Sequence, residues 1–259
     1  MTDAIIVEQR GPVQVWRLNQ PDTRNALSPE IREKLIELAP AYAADPQSRS
    51  LVITGTDKYF CAGGDIRNMT SSQGTAAVRK RMMGHYEWLR ALVYCEKPIV
   101  TAINGAAAGA GFSLGLIGDV IMASDAAYFV AGFPAVGTVP DLSLLYYLPR
   151  ATGLPIAKDL LLTNRRVQAS EALAFGMVSR VVPHDKLLDE AIATATQIAN
   201  GPAITLGLTK TLLTQSLEDS FESFLVKEGL AQAVAFGTDD FLEGNKAFRE
   251  KRKPVFKGV

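Results

Sequence analysis

The chain holds only two cysteines and two histidines in 259 residues, and its 27 basic residues are matched by 27 acidic ones. Cys61 and Cys95 lie in apolar segments without CxxC spacing, so reduced, buried thiols of a cytoplasmic protein are expected rather than a disulfide framework. With so little histidine and no H-E-x-x-H pattern, no protein-built metal site is expected. Zero net charge supplies no global field for nucleic acid or an anionic membrane, so an acidic ligand would have to be held locally. The opening residues, "MTDAIIVEQRGPVQVW", carry an early acid and no apolar run of signal-peptide length. One uncharged stretch, the 21 residues between Lys97 and Asp119, is long enough to span a bilayer. Five glycines and Asn104 fall inside it, which suits a buried strand, a turn and a close-packed helix instead.

What remains is an ordinary globular composition, 47% apolar and 21% charged, enough for one large core or a core with a small appendage. "AIIVEQRGPVQVWRLNQP" alternates apolar and polar residues about Gly-Pro and reads as a hairpin. "LSPEIREKLIELAPAYAAD" reads as a helix with Ser28 as N-cap and Pro29 at its first position. "SRSLVITGT" and "KPIVTAINGA" read as strands, 110–117 as a helix, and "DVIMASDAAYFVA" as a strand pair. That alternation predicts an α/β core. From about 153 helical patterns dominate, interrupted by a returning strand, "RVVP". The segment after Pro202 reads as all helix, with Thr238 capping a last helix that Pro254 would end. Phe221, Phe224, Leu225, Leu230, Phe236, Phe241 and Phe248 make this tail aromatic, either to pack onto the core or to face another subunit.

Within this frame Gly111-Phe112-Ser113-Leu114-Gly115 fits the G-x-S-x-G nucleophile elbow, and Asp141 and His184 follow in the order of a hydrolase triad. Against that reading, Ser113 lies ten residues beyond the end of "PIVTAI", whereas an elbow serine sits at the strand–helix turn itself. A Rossmann dinucleotide site is a second reading of the same glycines, but Leu114 stands where its third small residue belongs.

Four stretches taken together, "RNALS" (24–28), "YFCAGGDIRNM" (59–69), "PIVTAINGAAAGAGFSLGLIGDVIMAS" (98–124) and "TDDFLEGNKAFREKRKPVF" (238–256), resemble the enoyl-CoA hydratase/isomerase (crotonase) family along the whole chain. The resemblance implies a spiral of ββα repeats over 1–200 and a helical oligomerisation region over 201–259, building trimers or hexamers. It implies an acyl-CoA thioester as substrate, with coenzyme A part of that substrate and no separate cofactor. It places two oxyanion-holding backbone amides at Gly64 and Ala110, and implies that Arg24, Ala26, Ala62, Asp65 and Ile66 line the CoA path. Arg67 could meet phosphate, and Lys246, Arg249 and Lys253 could add charge from a neighbouring subunit or be a solvated face.

The chain departs from the hydratase pattern where that pattern carries two glutamates, for here Ser113 and Phe133 occupy the positions. Neither a hydroxyl nor a phenyl ring activates water well at neutral pH. Asp141, in "FPAVGTVPDLSLLYYLPR", resembles the acid/base of the ring-epoxide and oxepin-CoA isomerases of phenylacetate degradation and of the Δ3,Δ2-enoyl-CoA isomerases. Its apolar neighbours should desolvate the carboxyl and raise its pKa. Isomerisation by a single-carboxylate proton shuttle is therefore expected. Two alternatives stay open for Asp141: N-cap of the following helix, or nucleophile as in the aryl-CoA dehalogenases, where an upstream histidine would correspond to Tyr86, beside His85. His85 itself reads as a helix-surface neighbour of Trp88, and His184 as a surface-loop residue. The shape of the acyl pocket is expected to follow from Phe112, Phe133, Met82, Met83 and Trp88.

Overall fold

The computed structural model describes residues 3–65, 67 and 74–259. β1 (Ile5–Arg10) and β2 (Val13–Leu18) form the hairpin, with Ile5 opposite Leu18 and Arg10 opposite Val13. α1 (Pro29–Ala44) begins where Ser28 Oγ accepts the Ile31 amide at 3.2 Å, satisfying one of the unpaired donors of the first turn.

Three turns of a spiral follow. The first runs β3 (Ser50–Gly55), β4 (Tyr59–Cys61), α2 (Thr75–Val93); the second β5 (Ile99–Ile103), β6 (Ala106–Ala108), α3 (Ala110–Gly115). The third runs β7 (Val120–Ser124), β8 (Tyr128–Val130), then α4 (Leu144–Thr152) and α5 (Leu154–Thr163). β9 (Val167–Gln168), α6 (Ala169–Ala174) and β10 (Arg180–Val182) close the core, α7 (Leu187–Ala199) covers it, and α8 (Ala203–Gln215), α9 (Phe221–Phe236) and α10 (Asp239–Arg249) end the chain.

Each turn adds its first strand to a six-stranded sheet, β1-β2-β3-β5-β7-β10, and its second to a four-stranded sheet, β4-β6-β8-β9. The result is an α/β spiral of ββα repeats. Parallel neighbours lie one turn apart, as parallel pairing requires a long crossover: Leu51 beside Ile99, Val100 beside Val120. "DVIMASDAAYFVA" thus gives two strands that do not pair with each other. Asp125 donates its amide to Val182 O and Ala127 to Ser124 O, which turns the chain from one sheet into the other.

The large sheet is covered on both faces, so all six residues of β3 are buried. Alternation divides its side chains: Val13, Val15, Val52, Val100 and Met122 meet Leu187, Ala191 and Ala195 of α7, while Trp16, Leu18, Leu51, Ile53 and Ile99 face the main core. The uncharged stretch folds as β5, β6 and α3, and among the described residues no helix is long and apolar enough to cross a membrane.

The tail differs from a simple cap on the core. α9 buries none of its residues, and Phe221, Leu230 and Phe248 are 73%, 65% and 85% exposed. Only Phe224 and Phe241 are half-buried, the latter edge-on to Phe236. Thr238 caps α10, its Oγ1 accepting the Phe241 amide at 3.1 Å. The helix stops at Arg249, well before Pro254, because Lys251 takes a left-handed conformation and the Arg252 amide turns back to Ala247 O.

Candidate active site

The site begins with how "RNALS" is fastened. Arg24 and Asn25 are both left-handed, a conformation asparagine tolerates because its short amide bonds locally. Asn25 Oδ1 accepts the Gln20 amide, and Nδ2 donates to Thr56 O and, at 2.8 Å, to Tyr59 O. The segment then runs along the loop after β4: the Ala62 amide donates to Arg24 O, the Leu27 amide to Gly63 O, and Leu27 bridges Gly64.

That loop presses on the turn between β6 and α3. A Cβ on Gly63, whose φ is +95°, would lie 2.7 Å from Ala108 O and 3.3 Å from the Ala110 nitrogen. One on Gly111 would lie 2.1 Å from Cys61 O. Bare backbone on both sides is what permits the approach. Gly64 and Ala110 consequently line one cleft, and neither amide donates to a protein acceptor among the described residues. Ala110 is the first residue of α3, where no intrahelical acceptor exists for its N–H.

Asp141 lines the same cleft as these amides. Its Oδ1 is buried without a hydrogen-bond partner, and burial pushes the carboxyl up to about 6, against the opposing pull of the Arg81 charge and of its own backbone amide. The following residues, Leu142 and Ser143, are left-handed at φ 47° and 69°. This is uncommon for leucine and persists because the surroundings hold it. Two donors grip the Asp141 carbonyl, the Leu144 amide at 3.1 Å and Ser113 Oγ at 2.8 Å, while Leu142 and Leu144 are buried in the core. Asp141 is not the cap of α4: Ser143 occupies that position, without a side-chain cap bond.

Ser113 therefore has a different surrounding from a nucleophile. It is the fourth residue of α3, fully buried, and its hydroxyl faces a backbone carbonyl. His184 is exposed and meets Ser124 Oγ at 3.1 Å, so the residues of the triad reading are not assembled. An elbow serine would stand at the strand–helix turn, the place that Gly109 takes here.

The cleft measures 790 Å³, and Arg24, Ala26, Ala62, Asp65, Arg67 and Phe133 line it with Gly64, Ala110 and Asp141. The Arg24 guanidinium lies 5.6 Å from the Tyr59 ring centre, and Arg67 bonds both oxygens of Asp65, at 2.9 and 3.1 Å. Phe133 is nearly buried. Ile66 lies outside the described residues. Of the side chains expected to shape the acyl pocket, Met82 and Phe133 line the cleft. Phe112 packs into the core against Phe129, Trp88 is buried, and Met83 is largely exposed. Lys246, Arg249 and Lys253 are exposed. Among the described residues no three acidic, histidine or cysteine side chains are grouped to hold a metal ion.

A second, smaller cavity of 90 Å³ shares Gly64, Asp65, Arg81, Met82, Ala110 and Asp141 with the cleft and adds Leu27, Arg32, His85 and Leu142. The sequence reading missed Arg32 and Arg81, and placed His85 on a helix surface. Val78, Arg81, Met82 and His85 follow i, i+3, i+4, i+7 spacing on α2, so one stripe of that helix faces the cavities. An arginine and a histidine within an inward stripe were the available signal. Burial, with the charges of Arg32 and Arg81, holds the His85 imidazole down to about 4, and its Nδ1 accepts the Trp88 Nε1–H at 3.4 Å.

Comparison with known proteins agrees with this architecture. The profile described as Enoyl-CoA hydratase/isomerase matches residues 8–259. A chain named probable enoyl-CoA hydratase from Mycobacterium tuberculosis is 35% identical over 254 residues, spanning 98% of each chain. The 1,2-epoxyphenylacetyl-CoA isomerase of Escherichia coli is 33% identical over 261 residues, spanning 100% of each. The crystal structure of an enoyl-CoA hydratase from Bacillus anthracis superposes with a TM-score of 0.93 at 30% identity, covering 99% of this chain and 100% of that one. With the spiral, the paired glycine loops and these matches along the full length, the chain belongs to the enoyl-CoA hydratase/isomerase family.

Proposed function

We propose that the protein is a CoA-thioester isomerase that moves a carbon–carbon double bond with Asp141 as its single acid/base. The observation that carries this reading is the Asp141 carboxyl, with one buried, unpartnered oxygen and a pKa near 6, in the same cleft as the Gly64 and Ala110 amides. Asp65, the other carboxylate of the cleft, is held by Arg67 through both oxygens. Where hydratases carry two glutamates, Ser113 and Phe133 stand, so a pair of groups to activate and protonate water is lacking.

In the proposed reaction the thioester oxygen of a 3-enoyl-CoA accepts hydrogen bonds from the Gly64 and Ala110 N–H groups. Asp141 as carboxylate takes a proton from C2; the C–H electron pair delocalises into the thioester as a dienolate. The carboxylic acid so formed returns the proton to C4, and the double bond settles between C2 and C3, with no atom gained or lost. Each oxyanion donor contributes roughly 3 kcal/mol to the developing charge. A carboxyl of pKa near 6 is suited to both directions of transfer at neutral pH. Arg24, Ala26, Ala62 and Asp65 line the side of the cleft that would take the CoA moiety, and the exposed aromatic face of α9 and α10 suits a homo-oligomer, trimeric or a pair of trimers, with residues 201–259 as its oligomerisation region.

The test is product analysis with 3-enoyl-CoA and 2-enoyl-CoA. Conversion of the first to the second with little 3-hydroxyacyl-CoA is expected; robust hydration of 2-enoyl-CoA overturns the reading. One observation favours a second reading, in which Asp141 attacks the halogen-bearing ring carbon of an aryl-CoA and halide leaves, giving an aryl ester on the enzyme: His85 lines the cavity beside it. A base with a pKa near 4 is a weak one, which argues against that use. An aryl ester trapped on Asp141 by mass spectrometry would favour it instead.

A further inference from the structure

The turn that carries Phe133 toward Asp141 has little packing of its own. Residues 134–139 are exposed, and Phe133 is the side chain that the core takes in. The hydrogen bonds within the turn are internal: the Ala135 amide donates to Gly132 O at 3.2 Å, the Gly137 amide to Pro134 O at 3.2 Å and the Thr138 amide to Phe133 O at 3.1 Å. The turn is therefore one unit, and its placement depends on its two ends. The rear end is Asp141, whose carbonyl is held by the Leu144 amide and Ser113 Oγ. The front end is Gly132, and among the described residues its amide donates to a single acceptor, Asn164 Oδ1 at 2.7 Å.

Register explains why Asn164 stands there. β9 runs antiparallel to β8 with Phe129 opposite Val167, and three residues further on the same register sets Gly132 opposite Asn164. Both strands stop short of that point, and Asn164 is left-handed at φ 53°, where it ends α5. Its backbone is committed to the helix end, so its side-chain carbonyl supplies the acceptor in place of a ladder carbonyl. Glycine and asparagine both suit such a helix end, but of the two asparagine alone brings a side-chain acceptor. Gly132 in turn backs the oxyanion side of the cleft. Its φ is +74°, and a Cβ on it would lie 3.4 Å from the Gly109 nitrogen. Gly109 donates its amide to Val130 O at 3.0 Å and directly precedes Ala110.

We propose that Asn164 is a positioning residue for the reaction, fixing through Gly132 the turn that sets Phe133 and Asp141 beside the Ala110 amide. This rests on the isomerase reading above and adds to it a residue outside the lining of the cleft.

Two variants separate positioning from helix capping. Asn164→Gly keeps the left-handed helix end and removes the acceptor; Asn164→Asp keeps both, since aspartate tolerates that conformation and its carboxylate accepts. With 3-enoyl-CoA, Asn164→Gly should lower kcat about tenfold or more, while Asn164→Asp stays within about threefold of the unaltered protein. Free CoA should bind all three proteins within about twofold, because Arg24, Ala26 and Ala62 are fastened through Asn25 and the loop after β4. Hydrogen exchange should quicken about tenfold or more over residues 132–138 of Asn164→Gly and stay unchanged over α5. A kcat in Asn164→Gly within about twofold of the unaltered protein overturns the proposal. So does an equal loss in Asn164→Asp, or exchange that quickens alike over α5, since either marks a role confined to the helix end. If the unaltered protein does not isomerise 3-enoyl-CoA, the isomerase reading fails, and hexanoyl-CoA binding then decides the positioning of the cleft wall. Asn164→Gly should weaken it about tenfold relative to free CoA, and an unchanged ratio overturns the proposal as well.

Discussion

Asparagine at 141 should stabilise the protein at neutral and alkaline pH even as it removes the proposed acid/base. An aspartate free in the unfolded chain titrates near 3.8, whereas burial raises the Asp141 carboxyl to about 6. Between these values the folded protein holds a proton that the unfolded chain has released, so stability falls as pH rises through the window and is flat above it. A gap of about 2 units at about 1.4 kcal/mol each sets the full effect near 3 kcal/mol, an upper figure because part of the carboxyl reaches solvent. Asparagine does not titrate, so the variant escapes this loss. Urea denaturation of both proteins at equal protomer concentration should give a stability difference about 2 kcal/mol more favourable to Asp141→Asn at pH 8 than at pH 4.5. Any fixed effect of exchanging an oxygen for an amide nitrogen cancels between the two pH values. A difference that does not change with pH, or that shrinks as pH rises, refutes the desolvated carboxyl on which the mechanism depends.

Three other substitutions probe the site and the tail. Ser113→Ala removes one of the two donors on the Asp141 carbonyl and should lower kcat roughly tenfold with little change in KM, at a stability loss of about 1 kcal/mol; abolished turnover together with fluorophosphonate labelling of Ser113 would restore the hydrolase reading. Gly63→Ala puts a Cβ 2.7 Å from Ala108 O in a left-handed residue, so the two amide-bearing loops must part and kcat/KM should fall by about a hundredfold or more while circular dichroism stays native. Leu230→Asp, at an exposed apolar position of α9, should reduce the particle mass seen by light scattering; an unchanged mass would mean that this face is not an interface.

Features of the fold are legible in the sequence where their chemistry is local. Ser28 before Pro29, and Thr238 before two acids, mark their helices through chemistry confined to one turn, and both caps form. The glycines of "CAGGD" and "NGAAAGAG" marked close backbone approach, and the structure presses those two loops together. What was illegible involves partners far apart in the chain. β9 is two residues long and exists only because β8 pairs with it. Leucine and serine at 142 and 143 do not announce a left-handed turn; Ser113, 28 residues before Asp141, helps hold it through the Asp141 carbonyl. The G-x-S-x-G match is a local pattern without its tertiary context, and the helix end expected from Pro254 is made by Lys251. Arg81 and His85 were readable in principle, since both sit at helical spacing in the stripe that faces the cavities.

Whether one carboxyl carries the proton is decided by turnover of 3-enoyl-CoA in deuterium oxide by the unaltered protein and by Asp141→Asn. The unaltered protein should form 2-enoyl-CoA with deuterium at C4 only in part, because one carboxyl keeps some of the abstracted proton, and the variant should lose isomerisation by about a thousandfold or more. Isomerisation that survives in Asp141→Asn within about tenfold would contradict the single-carboxylate shuttle.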